Sequence, residues 1–229
     1  MRGRGDDALA PHIPSYENSP MTTLQALLAF SLAAGLLTIT PGLDTALVLR
    51  TAAAEGWRRA AATGVGIGLG CLAWGAAAAF GTGALLVASH AAYTALKWAG
   101  AAYLVWLGLN LLLKPRTSFD TGAGAGPPTG GLLAALGKGF WNNLLNPKVG
   151  VFYVSFLPQL IPTGASPAAF GLLLASLHVV MGLAWAGGLI LATAPIARAL
   201  RRPGVVKWLD RATGGVFVAF GVRIALERR

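Results

Sequence analysis

The 229-residue chain is 55% hydrophobic and only 11% charged, with positive mean hydropathy, whereas a soluble domain carries about a quarter charged residues. Apolar runs long enough to span a bilayer recur along its whole length, which excludes a soluble globular protein and predicts one polytopic membrane domain. The net charge of +10 does not point to nucleic acid, because Lys and Arg gather in short loops between apolar runs, where they report topology.

Residues 1–20 are polar, contain Pro and Gly and lack an apolar periodicity. They read as a disordered tail. Met21 stands immediately before the first apolar run, so translation from Met21 is an alternative to a genuine tail. The membrane domain is expected over 21–229.

The first apolar segment is expected from about 23 to 49 and is closed by Arg50, Glu55, Arg58 and Arg59. It is interrupted by Thr40-Pro41-Gly42-Leu43-Asp44. Proline removes a backbone donor and disfavours helix at the preceding residue, so this segment should be kinked or discontinuous. The second, about 61–87, carries Gly64, Gly66, Gly68 and Gly70. Residues two apart lie about 200° apart on a helix, so Gly64 and Gly68 share one face and Gly66 and Gly70 another. Each pair lets a neighbouring helix approach closely. Cys71 lies in the same run, has no partner in the chain and reads as packing. The third segment, about 94–113, ends at Lys114-Pro115-Arg116.

A Gly/Pro-rich linker over 114–130 divides the chain into halves of three segments, repeat 1 at about 22–113 and repeat 2 at about 131–227. The fourth segment, about 132–160, is broken at Asn142-Asn143 and Asn146-Pro147-Lys148. The fifth is expected over 168–194 and the sixth over 206–226, with a basic loop holding Arg198, Arg201, Arg202 and Lys207 between them. Pro41 matches Pro147, Leu72-Ala73-Trp74 matches Leu183-Ala184-Trp185, and Gly108-Leu109-Asn110 matches Gly221-Val222-Arg223. These matches suggest an internal repeat. Each half has an odd number of crossings, so the repeat must be inverted. The expected fold is thus all-α and integral to the membrane: six transmembrane helices in two inverted three-helix repeats, with helices 1 and 4 broken. The basic loops after segments 1, 3 and 5 place those loops in the cytoplasm and both termini outside.

The two breaks carry the polar groups. Asp44 reads as the only carboxylate embedded in an apolar run. It is either an acid at the positive end of the half-helix after Pro41 or a group that binds a substrate ammonium or takes up a proton during transport. Lys148 occupies the matching place after Pro147, where the helix dipole disfavours a cation. It either snorkels to an aqueous cavity, pairs with Asp44 or meets a substrate carboxylate. Asn142, Asn143 and Asn146 could satisfy backbone groups freed at the break or bind substrate. Trp74 and Trp185 are candidate cavity walls, as are Asn110 and His178, although a lone membrane His more often bonds between helices. The sequence has no Cys/His cluster for a metal, no paired acids and no P-loop. It therefore implies no cofactor and no enzyme site, and any energy coupling must come from an ion gradient.

Thr40-Pro41-Gly42-Leu43-Asp44-Thr45-Ala46-Leu47-Val48-Leu49-Arg50, Gly56-Trp57-Arg58, Lys97-Trp98-Ala99-Gly100-Ala101-Ala102-Tyr103-Leu104, Phe140-Trp141-Asn142-Asn143-Leu144-Leu145-Asn146-Pro147-Lys148 and Phe156-Leu157-Pro158-Gln159 together resemble the LysE/RhtB family of bacterial amino-acid exporters. The resemblance covers residue 21 to the C-terminus. It implies a multi-pass inner-membrane protein with six segments, able to form a homodimer, that exports amino acids or derivatives in exchange for protons. The chain departs from the family pattern at Leu43, where a second proline is usual, and at Asp44, where Asn is frequent. The competing readings are efflux of an inorganic cation and a membrane enzyme or scaffold.

Overall fold

The computed structural model describes residues 21–88, 90–116, 130–200 and 202–226. The tail at 1–20, positions 117–129 of the linker and Arg201 lie outside the described residues. Within them the chain is helical, with no strand.

The first apolar run forms α1 (Thr23–Ile39) and α2 (Leu43–Glu55), bent 49° at the Thr40-Pro41-Gly42 break. Thr22 caps α1 reciprocally with Gln25, each side chain bonding the other's backbone N–H. Next come α3 (Trp57–Ala88) and α4 (His90–Leu113). The fourth run also splits, into α5 (Leu132–Leu144) and α6 (Pro147–Phe156), and closes with a 3-10 turn over Leu157–Leu160. Asn146 caps α6 by accepting from the Lys148 N–H at 3.1 Å, with Pro147 at the first helical position, where a missing donor costs nothing. The last elements are α7 (Pro167–Leu191), α8 (Thr193–Leu200) and α9 (Pro203–Leu226).

The expected basic loop is therefore largely helical. Arg198 lies in α8 and Lys207 in α9. The Ala- and Leu-rich sequence of α8 favours helix, and Pro195 falls within its first turn, where proline is tolerated.

Helices α3 and α7 are each long and apolar enough to cross a membrane, and α1 with α2 passes the same test as a bent pair. Helix α4 carries a shorter apolar stretch, Lys97–Leu113. Helix α9 carries Lys207, Asp210, Arg211 and Arg223.

The glycine pairs of α3 serve two neighbours. A methyl added at Gly64 or Gly68 would meet Ala186 or Val179 of α7 at 3.1 and 3.2 Å, whereas one at Gly66 would lie 2.0 Å from the Leu136 carbonyl oxygen of α5. Gly70 is pressed against Asn143. α3 is thus wedged between α5, at backbone contact, and α7, at side-chain contact. Helices α4 and α9 cross in the same manner, a methyl on Gly108 or Gly214 lying 2.6 Å from the other's carbonyl oxygen. Phe30, Phe152, Tyr153, Phe156, Leu174 and Phe217 fill the main core.

Candidate functional site: a cavity between two helix breaks

Pro41 has no N–H to offer the Leu37 carbonyl four residues earlier, so the end of α1 carries an unpaired acceptor as well as the negative end of its dipole. Lys148, from the other break, reaches this carbonyl with its Nζ at 3.5 Å. The same ammonium lies 3.8 Å from where a Cβ on Gly42 would sit. The reach is reciprocated. Asp44, in the first turn of α2, accepts from Asn142 Nδ2 at 2.7 Å and from Asn143 Nδ2 at 2.8 Å, both at the end of α5. Each break thus supplies polar groups to the other.

Around this junction lies a cavity of about 70 Å³ whose walls include Thr38, Gly42, Asp44, Asn143, Asn146, Lys148, His178 and Trp185, with Leu37, Val48, Ile67, Val179 and Leu189 as apolar lining. Among the ion pairs of the described residues none joins Asp44 to Lys148. The two charges share the cavity without direct contact. Asn142 touches Asp44 but is not part of the wall. Asn146 spends its oxygen on the cap of α6.

His178 is buried and fully bonded. Thr38 Oγ1 gives its one hydrogen to the Ala34 carbonyl at 2.7 Å, so toward His178 Nε2, 3.1 Å away, it must accept. Nε2 therefore carries the ring proton, and Nδ1 accepts from Tyr153 Oη at 2.9 Å.

The two matched tryptophans behave differently. Trp185 lines this cavity. Trp74 instead donates from Nε1 to the Leu144 carbonyl at 3.2 Å, covering an acceptor freed where α5 ends, and lies against Gly150. It lines a second, larger cavity of about 590 Å³ with Tyr103, Leu145 and Pro147. Asn110 lines neither cavity and turns back on its own helix, donating to the Trp106 carbonyl at 2.9 Å.

One expectation is corrected outright: Asp44 is not the only carboxylate embedded in an apolar run. Asp210 of α9 has no exposed surface. Its Oδ2 accepts from the backbone N–H of Arg116 at 2.9 Å and from Arg116 Nε at 3.0 Å, and its Oδ1 from Nη2 at 2.5 Å. The remaining arm, Nη1, donates to the Pro41 carbonyl at 2.6 Å. A residue whose position after α4 marked it only as part of a basic loop thus ties the first break to α9. Thr40 and Thr213 share a hydroxyl–hydroxyl bond alongside. In the sequence Asp210 stands between Lys207 and Arg211 near the start of the sixth apolar run, and neither neighbour points to Arg116 as its partner.

The model of the LysE type translocators matches residues 36–228, a span that contains both breaks and every wall of the cavity. The chain belongs to the LysE type translocators. A homoserine/homoserine lactone efflux protein of Salmonella typhi is 30% identical over 206 residues, covering 90% of this chain and 98% of the relative. A leucine efflux protein of Klebsiella pneumoniae is 32% identical over 204 residues, covering 86% and 93%. A threonine efflux protein of Escherichia coli is 27% identical over 200 residues, covering 83% and 92%. No solved structure matches the chain. Membership in the LysE type translocators makes this protein a membrane transporter and not an enzyme.

Proposed function

We propose that this LysE type translocator exports amino acids or their derivatives from the cytoplasm across the bacterial inner membrane, in exchange for protons. The observation that carries the reading is the single cavity to which the two breaks contribute opposite charges, Asp44 and Lys148, held apart with no direct ion pair. An amino acid presents an ammonium and a carboxylate and can bridge them, whereas each charge alone at membrane depth is costly. The efflux proteins to which the chain is similar are named for homoserine and homoserine lactone, leucine and threonine, which supports amino acids and their derivatives as the substrate class.

In this scheme Asp44 and Lys148 hold substrate, Asn142 and Asn143 orient the Asp44 carboxylate, and Asn146, Pro41, Gly42 and Pro147 shape the breaks. Protonation of Asp44 from outside releases the ammonium and permits return of the empty carrier. We read the architecture as six crossings in two inverted repeats, 22–113 and 131–227, with the loops after segments 1, 3 and 5 in the cytoplasm and a homodimer as the assembly. The mutual Gly108–Gly214 contact between the third helices of the two halves is consistent with such pseudo-symmetry.

Counterflow of labelled leucine, threonine or homoserine in proteoliposomes tests the reading. The wild-type chain should accumulate label, Asp44→Asn and Lys148→Gln should each abolish active export while leaving expression intact, and Asp44→Asn should also lose dependence on an imposed proton gradient. Export by Asp44→Asn at the normal rate and with normal pH dependence would reduce Asp44 to a helix-end residue and overturn the coupling scheme.

A further inference from the structure

We propose that Trp185 is a substrate-binding residue whose indole N–H donates to the carboxylate of a free amino acid, so that the cavity selects substrates by an unmasked carboxylate. The inference rests on the amino-acid reading of the same cavity and assigns the group that reads one end of the substrate.

Trp185 Nε1 is buried and has no hydrogen-bond partner among the described residues, although its side chain is part of the cavity wall. Indole nitrogen is a donor only, and a buried donor left unpaired is disfavoured enough that each case calls for an explanation. Trp74, the matched residue of the other half, shows the ordinary outcome: its Nε1 is spent on the Leu144 carbonyl.

The hydrogen-bond inventory of the cavity indicates what the missing partner is. Both oxygens of Asp44 already accept, from Asn142 and Asn143. Asn146 Oδ1 is taken by the Lys148 N–H, and both ring nitrogens of His178 are engaged. Two donors of the wall stand out, Trp185 Nε1, which is buried without a partner, and the Lys148 ammonium, which makes only one long bond. Two donors, one of them cationic, call for an anionic acceptor, and a carboxylate with its several lone-pair sites supplies one. The other unpartnered buried polar atom of the wall is an acceptor, Asn143 Oδ1, on the amide that already holds Asp44. It lies against Gly70 of α3, which leaves the substrate ammonium to the Asp44 carboxylate beside it. A zwitterion thus brings an anion to the Lys148 and Trp185 donors and an ammonium to Asp44. An amide or ester of the same amino acid keeps the ammonium and loses the anion.

The test is equilibrium binding of L-leucine and of L-leucinamide to the full chain in lipid nanodiscs, for wild type and Trp185→Phe, with apparent melting points recorded in parallel. Phe removes the indole N–H together with the pyrrole ring, so leucinamide, which keeps the contacts with the ring face but lacks the anion, is the control for lost shape. The expected result is that Trp185→Phe weakens leucine binding about tenfold or more, as loss of a hydrogen bond to a charged group does, in a protein that still melts above the binding temperature. Leucinamide should bind weakly and equally to both proteins. Unchanged leucine affinity in Trp185→Phe would overturn the proposal, as would an equal loss for leucine and leucinamide, which would mean that only ring shape matters. Should wild type bind neither leucine, threonine nor homoserine, the amino-acid reading itself fails and the assignment of Trp185 with it.

Discussion

Replacing Arg116 with Ala should harm this protein more than replacing Asp210, although the two are partners. Asp210 has no exposed side-chain surface, whereas the Arg116 side chain is 38% exposed. In Asp210→Ala the guanidinium can turn toward solvent while keeping its bond to the Pro41 carbonyl, so the loss is that of charge-assisted hydrogen bonds, about 1.5–3 kcal/mol. In Arg116→Ala a wholly buried carboxylate keeps only the backbone N–H of residue 116, and removing one member of a buried pair costs about 3–5 kcal/mol. For a chain of this size that corresponds to a fall of roughly 6–20 °C in melting temperature. Arg116→Ala also removes the tie on the first break, which Asp210→Ala spares. The double variant should therefore melt above Arg116→Ala, because no buried charge is left uncompensated. Thermal unfolding of the four proteins in one detergent, at one scan rate, reads the order. The reasoning is refuted if Arg116→Ala melts no lower than Asp210→Ala, or if the double variant melts as low as Arg116→Ala.

Gly66→Ala should lower the yield of folded protein, since its methyl would fall 2.0 Å from the Leu136 carbonyl oxygen, while Gly137→Ala on α5, with open space around it, should be neutral or stabilise by about 0.5–1 kcal/mol; size-exclusion profiles and melting points compare them. Tyr153→Phe removes the donor to His178 Nδ1 and should destabilise by about 1–3 kcal/mol by leaving a buried acceptor unpaired, read as a lower melting point. Asn142→Ala and Asn143→Ala each strip one of the two donors from Asp44 and should slow amino-acid counterflow in proteoliposomes; normal counterflow in both would mean that these amides do not orient the carboxylate.

What the sequence determined by itself is what local chemistry dictates. Proline at 41 and 147 interrupts the backbone hydrogen-bond ladder of an apolar run by local chemistry, so both breaks were legible and fall where α1 gives way to α2 and α5 to α6. The spacing of Gly64, Gly66, Gly68 and Gly70 sorted them onto two faces, because helical geometry is local. Family membership was legible too, since ordered motifs survive without coordinates. What only the tertiary structure decided is which group meets which. That Lys148 reaches the Leu37 carbonyl instead of Asp44, that Asn142 and Asn143 take Asp44, and that matched Trp74 and Trp185 have opposite fates depend on how α1, α3, α5 and α7 are brought together. Asp210 escaped notice for the same reason. Its burial is compensated by Arg116, a residue 94 positions away, and no pattern along the chain marks a charge whose partner is set by long-range packing.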